Sequence, residues 1–371
     1  MKNMRKTFLS LFTFLSLFIV IVLLSGCAQQ NRELEEFTIG VILPLTGDFS
    51  FFGEQAMQGA SIAAEEINSI SGRKVKLIFE DEKCLPREAT NAYRKLKDMD
   101  QVGFIVGPAC TGSILAVAAQ ANEDRQYMLA ILDAGEEVEK ASPYLYALGF
   151  SSEEEGYLIA GYLIQQNITK IAIIYDQDEW ASLVKDSFKK RFKALGGKTI
   201  AEEAHDVKDH DYRTNILKVM DAKPEALYIA PAYNGGYVLK QLKELNIDIP
   251  VFGPDTFGIN EVLTIAGDAA DGVIYSNVVI NEQSPGAVKF QERYAQKYGK
   301  KSESLLFAAL GYDAVKIAHK VLTEYETIPK GFANIAYHDG IIEVEGFDEQ
   351  GMAKLNPMVM RIEDQRFVKI D

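Results

Sequence analysis

Thr111, Gly112 and Ser113 have the make-up of an anion-binding turn, set between a short apolar run and an alanine-rich stretch. The run Val102-Gly103-Phe104-Ile105-Val106 has strand character and breaks at Gly107-Pro108, while Ile114-Leu115-Ala116-Val117-Ala118-Ala119 reads as a buried helix. A strand that turns directly into a helix leaves first-turn N–H groups without intrahelical acceptors, at the positive end of the helix dipole. The hydroxyls of Thr111 and Ser113 add donors, and Gly112 admits close approach to the backbone. With no lysine or arginine in the turn, the chemistry is that of holding a singly charged carboxylate rather than a phosphate. The same residues also fit an ordinary strand-to-helix connection with a capped helix.

Other motif-like stretches carry no chemistry. Gly196-Gly197-Lys198-Thr199 imitates the end of a phosphate-binding loop, but Phe192 stands where its first glycine belongs and the order is helix into strand. His205-Asp206 and Asp209-His210-Asp211 lack metal-ligand spacing on a regular element and read as a solvated loop. The chain has no GxSxG, HExxH or GxGxxG pattern, and His319 and His338 have no evident catalytic partner. No metal, cofactor or enzymatic activity is therefore expected.

The N-terminus sets the compartment. Lys2, Arg5 and Lys6 precede an apolar core from Phe8 to Leu24 that ends in Leu24-Ser25-Gly26-Cys27. Residues 1–26 thus read as a lipoprotein signal peptide, with Cys27 lipidated at the new N-terminus and residues 27–36 a polar tether. An uncleaved membrane anchor is the alternative, and both place the remainder outside the cytoplasm. Loss of the leader's three cations takes the net charge from −14 to about −17, which argues against nucleic acid as a partner. Cys84 and Cys110 remain as a pair in an oxidising compartment and are expected to be disulfide-bonded, with roughly 3 kcal/mol of stabilisation.

The elements that must position the turn follow an α/β rhythm. Thr38–Leu43 reads as a strand buried on both faces, a helix follows from about Glu54 to Ile67, and Val75–Glu80 and Tyr127–Ile131 read as further strands. The small-residue face of that helix, Ala56, Gly59, Ala60, Ala63 and Ala64, is suited to pack closely on a sheet. The pattern restarts after Leu148, with a helix from Ser152 to Gln166 and strands at Lys170–Tyr175, Thr199–Glu203, Ala226–Ala230, Val251–Phe252 and Gly272–Tyr275. Two doubly wound parallel-sheet lobes are expected, with helices at 285–298 and 304–325 and strands at 341–345 and 358–362 near the C-terminus.

In order and spacing the chain resembles the solute-binding lipoproteins of branched-chain amino-acid ABC transporters, which have the type I periplasmic-binding fold. The resemblance rests on Ile39-Gly40-Val41-Ile42-Leu43-Pro44-Leu45-Thr46-Gly47, Phe52-Gly53-Glu54 and Gln58-Gly59-Ala60. It continues through Glu80–Pro86, Gly107–Ser113, Gly253-Pro254-Asp255 and Gly311-Tyr312-Asp313-Ala314. It implies two lobes joined by three crossovers, placed near Gly149, Asn277 and Ile328. The N-terminal lobe would then comprise 37–148 plus 278–328, and the C-terminal lobe 149–277 plus 329–371.

The resemblance further implies that a ligand α-carboxylate meets Thr111, Gly112 and Ser113 while Asp255, from the other lobe, meets an α-ammonium. Without the resemblance, Asp255 reads as a turn residue after Pro254. Phe52, Trp180, Tyr233 and Phe307 match aromatic positions around the ligand, each of which core packing would also explain. The sequence departs from the family after Ile131, where Leu132-Asp133-Ala134-Gly135-Glu136-Glu137 replaces a proline, small residues and a threonine. Gly135 still offers backbone groups, but Glu136 brings a negative charge. Either it turns outward, or the ligand is not a plain apolar amino acid and is cationic or amide-bearing. The implied role is capture of an amino acid or similar small polar solute by lobe closure, with delivery to an ABC permease. An interaction module of the cell envelope and a sensory receptor are the alternatives.

Overall fold

The computed structural model describes residues 36–70, 74–133, 135–278, 280, 284–337, 340–342 and 344–370. The leader, Cys27 and His338 lie outside the described residues, as does the tether except for Glu36. Among the described residues no helix is long and apolar enough to cross a membrane.

The first lobe is built from β1 (Glu36–Leu43), α1 (Ser50–Ile70), β2 (Lys74–Asp81), α2 (Pro86–Arg94), β3 (Phe104–Val106), α3 (Thr111–Asp124), β4 (Met128–Asp133) and β5 (Leu145–Phe150). Its five strands run in the order β2-β1-β3-β4-β5, all parallel. Ile39 and Val41 of β1 pair with Leu77 and Phe79 of β2 on one side and with Phe104 and Val106 of β3 on the other. The central strands are apolar at nearly every position because helices cover both faces of the sheet.

The second lobe follows with α4 (Ser152–Gln165), β6 (Lys170–Asp176), α5 (Glu179–Ala194), β7 (Lys198–His205), α6 (Arg213–Met220), β8 (Ala226–Ala230), α7 (Gly235–Glu244), β9 (Val251–Gly253), α8 (Asn260–Ala266) and β10 (Ile274–Val278). The chain then makes α9 (Pro285–Tyr298), α10 (Leu305–Glu324) and α11 (Ile328–Asn334), and ends in β11 (Pro357–Glu363) and β12 (Arg366–Lys369). The second sheet has the order β12-β11-β10-β9-β8-β6-β7; its last two strands in sequence form an antiparallel edge on an otherwise parallel sheet. Side-chain oxygens of Ser151, Asp178, Ser284 and Ser304 cap α4, α5, α9 and α10, which fixes where those helices start.

The small-residue face of α1 packs on a helix rather than on a sheet. A Cβ on Gly59 would overlap the Ala308 carbonyl of α10, and one on Gly311 would overlap the Ala56 carbonyl of α1. This backbone contact welds α10 to the first lobe, and Lys297 of α9 pairs with Glu65 there at 2.6 Å.

The first two crossovers fall between Phe150 and Ser152 and between Val278 and Pro285. The third does not lie near Ile328. Phe332 of α11 stacks on Tyr146 of β5 at 3.7 Å, and Ala147 bridges Met352. Residues after 328 therefore stay with the first lobe until β11 joins the second sheet. The cause is burial: Phe332, Ile335, Ile341 and Ile342 need apolar cover. Buried Asp313 of α10 also accepts from Tyr337 Oη and from the N–H groups of Ile341 and Ile342. The stretch read as a strand at 341–345 makes isolated bridges instead, Ile280 with Ile342 and Tyr337 with Val344. The loop after β7 is tied down rather than simply solvated, because buried His205 stacks on Tyr212 at 3.6 Å and binds the Asp209 carbonyl at 2.8 Å.

Candidate functional site between the lobes

The carboxyl ends of the strands in both sheets face a cavity of about 230 Å³, the place where open α/β sheets bind ligands. The first lobe contributes Phe49, Phe52, Thr111, Gly112, Leu132, Asp133 and Phe307 to its walls, together with Cys84 and Cys110. Those cysteines form a disulfide with a Cα–Cα separation of 5.3 Å, which ties the start of α3 to the loop after β2. The second lobe contributes Asp178, Glu179, Trp180, Ala232, Asp255 and Thr256. The lobes touch beside the cavity, where the Phe49 ring meets the Tyr233 ring edge-on at 5.0 Å.

On the first-lobe wall, Thr111 Oγ1 donates to Asp133 Oδ2 at 2.6 Å, and the Gly135 N–H donates to Asp133 Oδ1 at 3.0 Å. β4 runs two residues beyond the stretch read as a strand, with Leu132 at φ 85°, and this exit turns the Asp133 carboxylate inward. Behind the turn, buried Glu82 accepts from the Ala109 N–H at 2.8 Å, and burial pushes its carboxyl up to about 7. Phe52 and Phe307 pack at 4.5 Å to form the apolar floor.

On the second-lobe wall, Asp255 opens a short 3₁₀ turn after β9. Its own N–H donates to Glu155 Oε2 at 2.9 Å, and Ser276 Oγ donates to the same oxygen at 3.2 Å. Burial, and then the nearby charge of Asp133, push the Asp255 carboxyl up to about 7. Burial and then Asp255 raise the Glu155 carboxyl well above its ordinary value. Asp178 Oδ1 accepts from the Ala181 N–H at 3.0 Å as the cap of α5. Asp178 Oδ2 is closed off from solvent without a hydrogen-bond partner among the described residues, and burial pushes this carboxyl up to about 7. Glu179 Oε2 stands where a Cβ on Gly112 would go, so this carboxylate reaches across the cleft to the N-terminus of α3. Deeper in the lobe, Asp176 accepts from Tyr212 Oη at 2.6 Å and from the Ala232 N–H at 2.9 Å, which holds the ends of β6 and β8 together.

A family model described as periplasmic binding protein matches residues 36–349. The chain belongs to the periplasmic binding protein family. Among its relatives is a leucine-, isoleucine-, valine-, threonine- and alanine-binding protein of Pseudomonas aeruginosa, 24% identical over 342 residues, covering 89% of this chain and 91% of the relative. Another is the Leu/Ile/Val-binding protein BraC3 of Rhizobium johnstonii, 27% identical over 269 residues, covering 71% of this chain and 73% of the relative. Solved structures with the same fold include a leucine-binding protein of Thermotoga maritima, with a TM-score of 0.80 and 24% identity over 90% of this chain and 98% of that one. A Rhodopseudomonas palustris solute-binding protein of an ABC transporter, solved with 3,4-dihydroxybenzoic acid, has a TM-score of 0.80 and 22% identity over 90% of this chain and 96% of that one.

For a periplasmic binding protein, the placement of the residues singled out from sequence is informative. Thr111, Gly112, Asp255, Phe52, Trp180 and Phe307 share the cavity. Ser113 is buried behind it, Gly135 holds Asp133 from the side, and Tyr233 serves as the cross-cleft partner of Phe49 while donating to the Val207 carbonyl at 3.1 Å. Glu136 does not line the cavity: it is exposed on one turn of helix and pairs with Lys140. Asp133, Glu155, Asp178 and Glu179 were not picked out from sequence. Asp133, Asp178 and Glu179 lie just at or beyond the carboxyl end of a parallel strand, and acidic residues at such ends were the signal that would have found them.

Proposed function

We propose that this protein is the extracytoplasmic solute receptor of an ABC importer, held to the membrane by lipid on Cys27, and that it captures a small polar solute of the amino-acid class by closing its lobes. The observation that carries this reading is the cavity at the strand ends, walled by side chains from both lobes. A ligand that contacts both walls stabilises the closed form over the open one, and the closed form is what a permease can recognise. Nothing in this role asks for covalent chemistry. Relatives whose names state amino-acid binding support the solute class, and the Leu-Ser-Gly-Cys ending of the leader supports the anchor.

The sole tryptophan lies in the cavity wall and serves as a reporter. The protein is denatured and refolded to remove any carried ligand, then titrated with amino acids, amides, amines and aromatic acids while Trp180 fluorescence and melting temperature are followed. A true ligand at about 100 times its Kd adds roughly 2.7 kcal/mol of stability. Saturable binding that is lost in Asp255→Ala supports the reading. No response to any solute class defeats it in favour of an interaction module.

A further inference from the structure

Resting on the solute-receptor reading, we propose that the cleft takes an organic dication without a carboxylate: a diamine whose two ammonium groups meet the Asp133–Asp255 pair and the Asp178–Glu179 pair. Among the described residues four carboxylates line the cavity, and none of the lining residues is lysine, arginine or histidine. Two of the groups that would receive a ligand carboxylate already face carboxylates of the protein itself. The Thr111 hydroxyl points its proton at Asp133, and Glu179 brings a carboxylate to the N-terminus of α3, where the dipole and the unpaired N–H groups favour an anion. A ligand carboxylate placed at that turn would face both of these acids.

Asp178 lines the same cavity, and its Oδ2 is held just behind the wall without a hydrogen-bond partner among the described residues. A buried carboxylate oxygen without a donor is costly, and a charged N–H donor from the ligand relieves that cost. The same cavity is also lined by Phe49, Phe52, Trp180 and Phe307, whose apolar, cation-tolerant faces suit a methylene spacer.

The test titrates refolded protein with 1,5-diaminopentane, with lysine (the same diamine carrying one added carboxylate), with leucine and with 4-hydroxybenzoate. Trp180 fluorescence and calorimetry are the readouts. The expected result is saturable binding of 1,5-diaminopentane, with lysine at least tenfold weaker and leucine weaker still. Asp178→Asn and Asp133→Asn should each weaken the diamine at least tenfold, the loss of one charge-assisted bond. Asp133 also anchors Thr111, so Asp178→Asn is the variant that decides if Asp133→Asn fails to fold. Glu179→Ala should free the helix N-terminus and narrow the gap between lysine and the diamine. Lysine or leucine binding as tightly as 1,5-diaminopentane overturns the dication assignment and leaves the solute-receptor reading standing. Binding of 4-hydroxybenzoate alone does the same, and no binding by any of the four overturns the dication assignment, while the wider titration above decides the solute-receptor reading.

Discussion

Replacing Asp255 by asparagine should stabilise the empty protein at neutral pH and weaken its ligand binding. Burial and the charge of Asp133 raise the Asp255 carboxyl from 3.8 to about 7. Because the folded-state value lies above the unfolded one, the group adds stability that is complete below about pH 4 and is lost as pH rises through about 7. One pKa unit is worth 1.36 kcal/mol, so the full penalty above pH 7 is about 4 kcal/mol, and about half of that once water in the cleft screens the charge. The amide keeps the shape and removes the titration. Urea unfolding of ligand-free Asp255→Asn should therefore show about 2–4 kcal/mol of stabilisation over the parent at pH 8 and almost none at pH 4. The parent itself should lose stability between those values, with Asp178, which burial also pushes up to about 7, contributing in the same direction. A stability difference that stays constant from pH 4 to pH 8 would refute the idea that Asp255 is held in a costly, half-buried, acid-repelling position. If the reasoning holds, binding of a cation should tighten as pH rises through 7, since the facing groups, Asp133, Glu155, Asp178 and Glu179, are all acids.

Three further outcomes follow from the packing. Phe49→Ala removes the edge-on ring contact with Tyr233, and the loss of about 0.5–1.5 kcal/mol from the closed form should raise the Kd of the bound solute about twofold to tenfold, measured by calorimetry. Gly311→Ala drives a methyl group into the Ala56 carbonyl and should lower unfolding stability by about 1–3 kcal/mol, because the backbones of α1 and α10 must separate. Joint replacement of Cys84 and Cys110 by serine opens the loop closed by their disulfide, with a sequence separation of 26. The expected cost is roughly 3 kcal/mol in denaturant titration, with weaker solute binding because both cysteines also line the cleft.

The sequence by itself determined the strand–helix alternation, the cysteine pairing and the turn at Gly107–Ser113, whereas Asp255 was placed in the cleft only by the family resemblance. These are local properties: apolar runs with flanking turn residues define buried strands, and two cysteines leave one intramolecular pairing. Only the tertiary structure decided which acids face the ligand space. Glu136 and Asp133 sit three residues apart in a stretch that departs from the family pattern, and composition could not choose between them. The choice came from the exit of β4, where Leu132 takes a positive φ and Asp133 finds donors in Thr111 and Gly135, while Glu136 is left on an exposed turn beside Lys140. Glu179 is likewise an unremarked first-turn residue of α5 until the second lobe folds over the first and brings it to Gly112. The path of residues 329–353 was beyond reach for the same reason. Whether Phe332 and the donors around Asp313 serve one lobe or the other depends on which surface lies open beside them, and that surface is assembled from strands and helices far away in the chain.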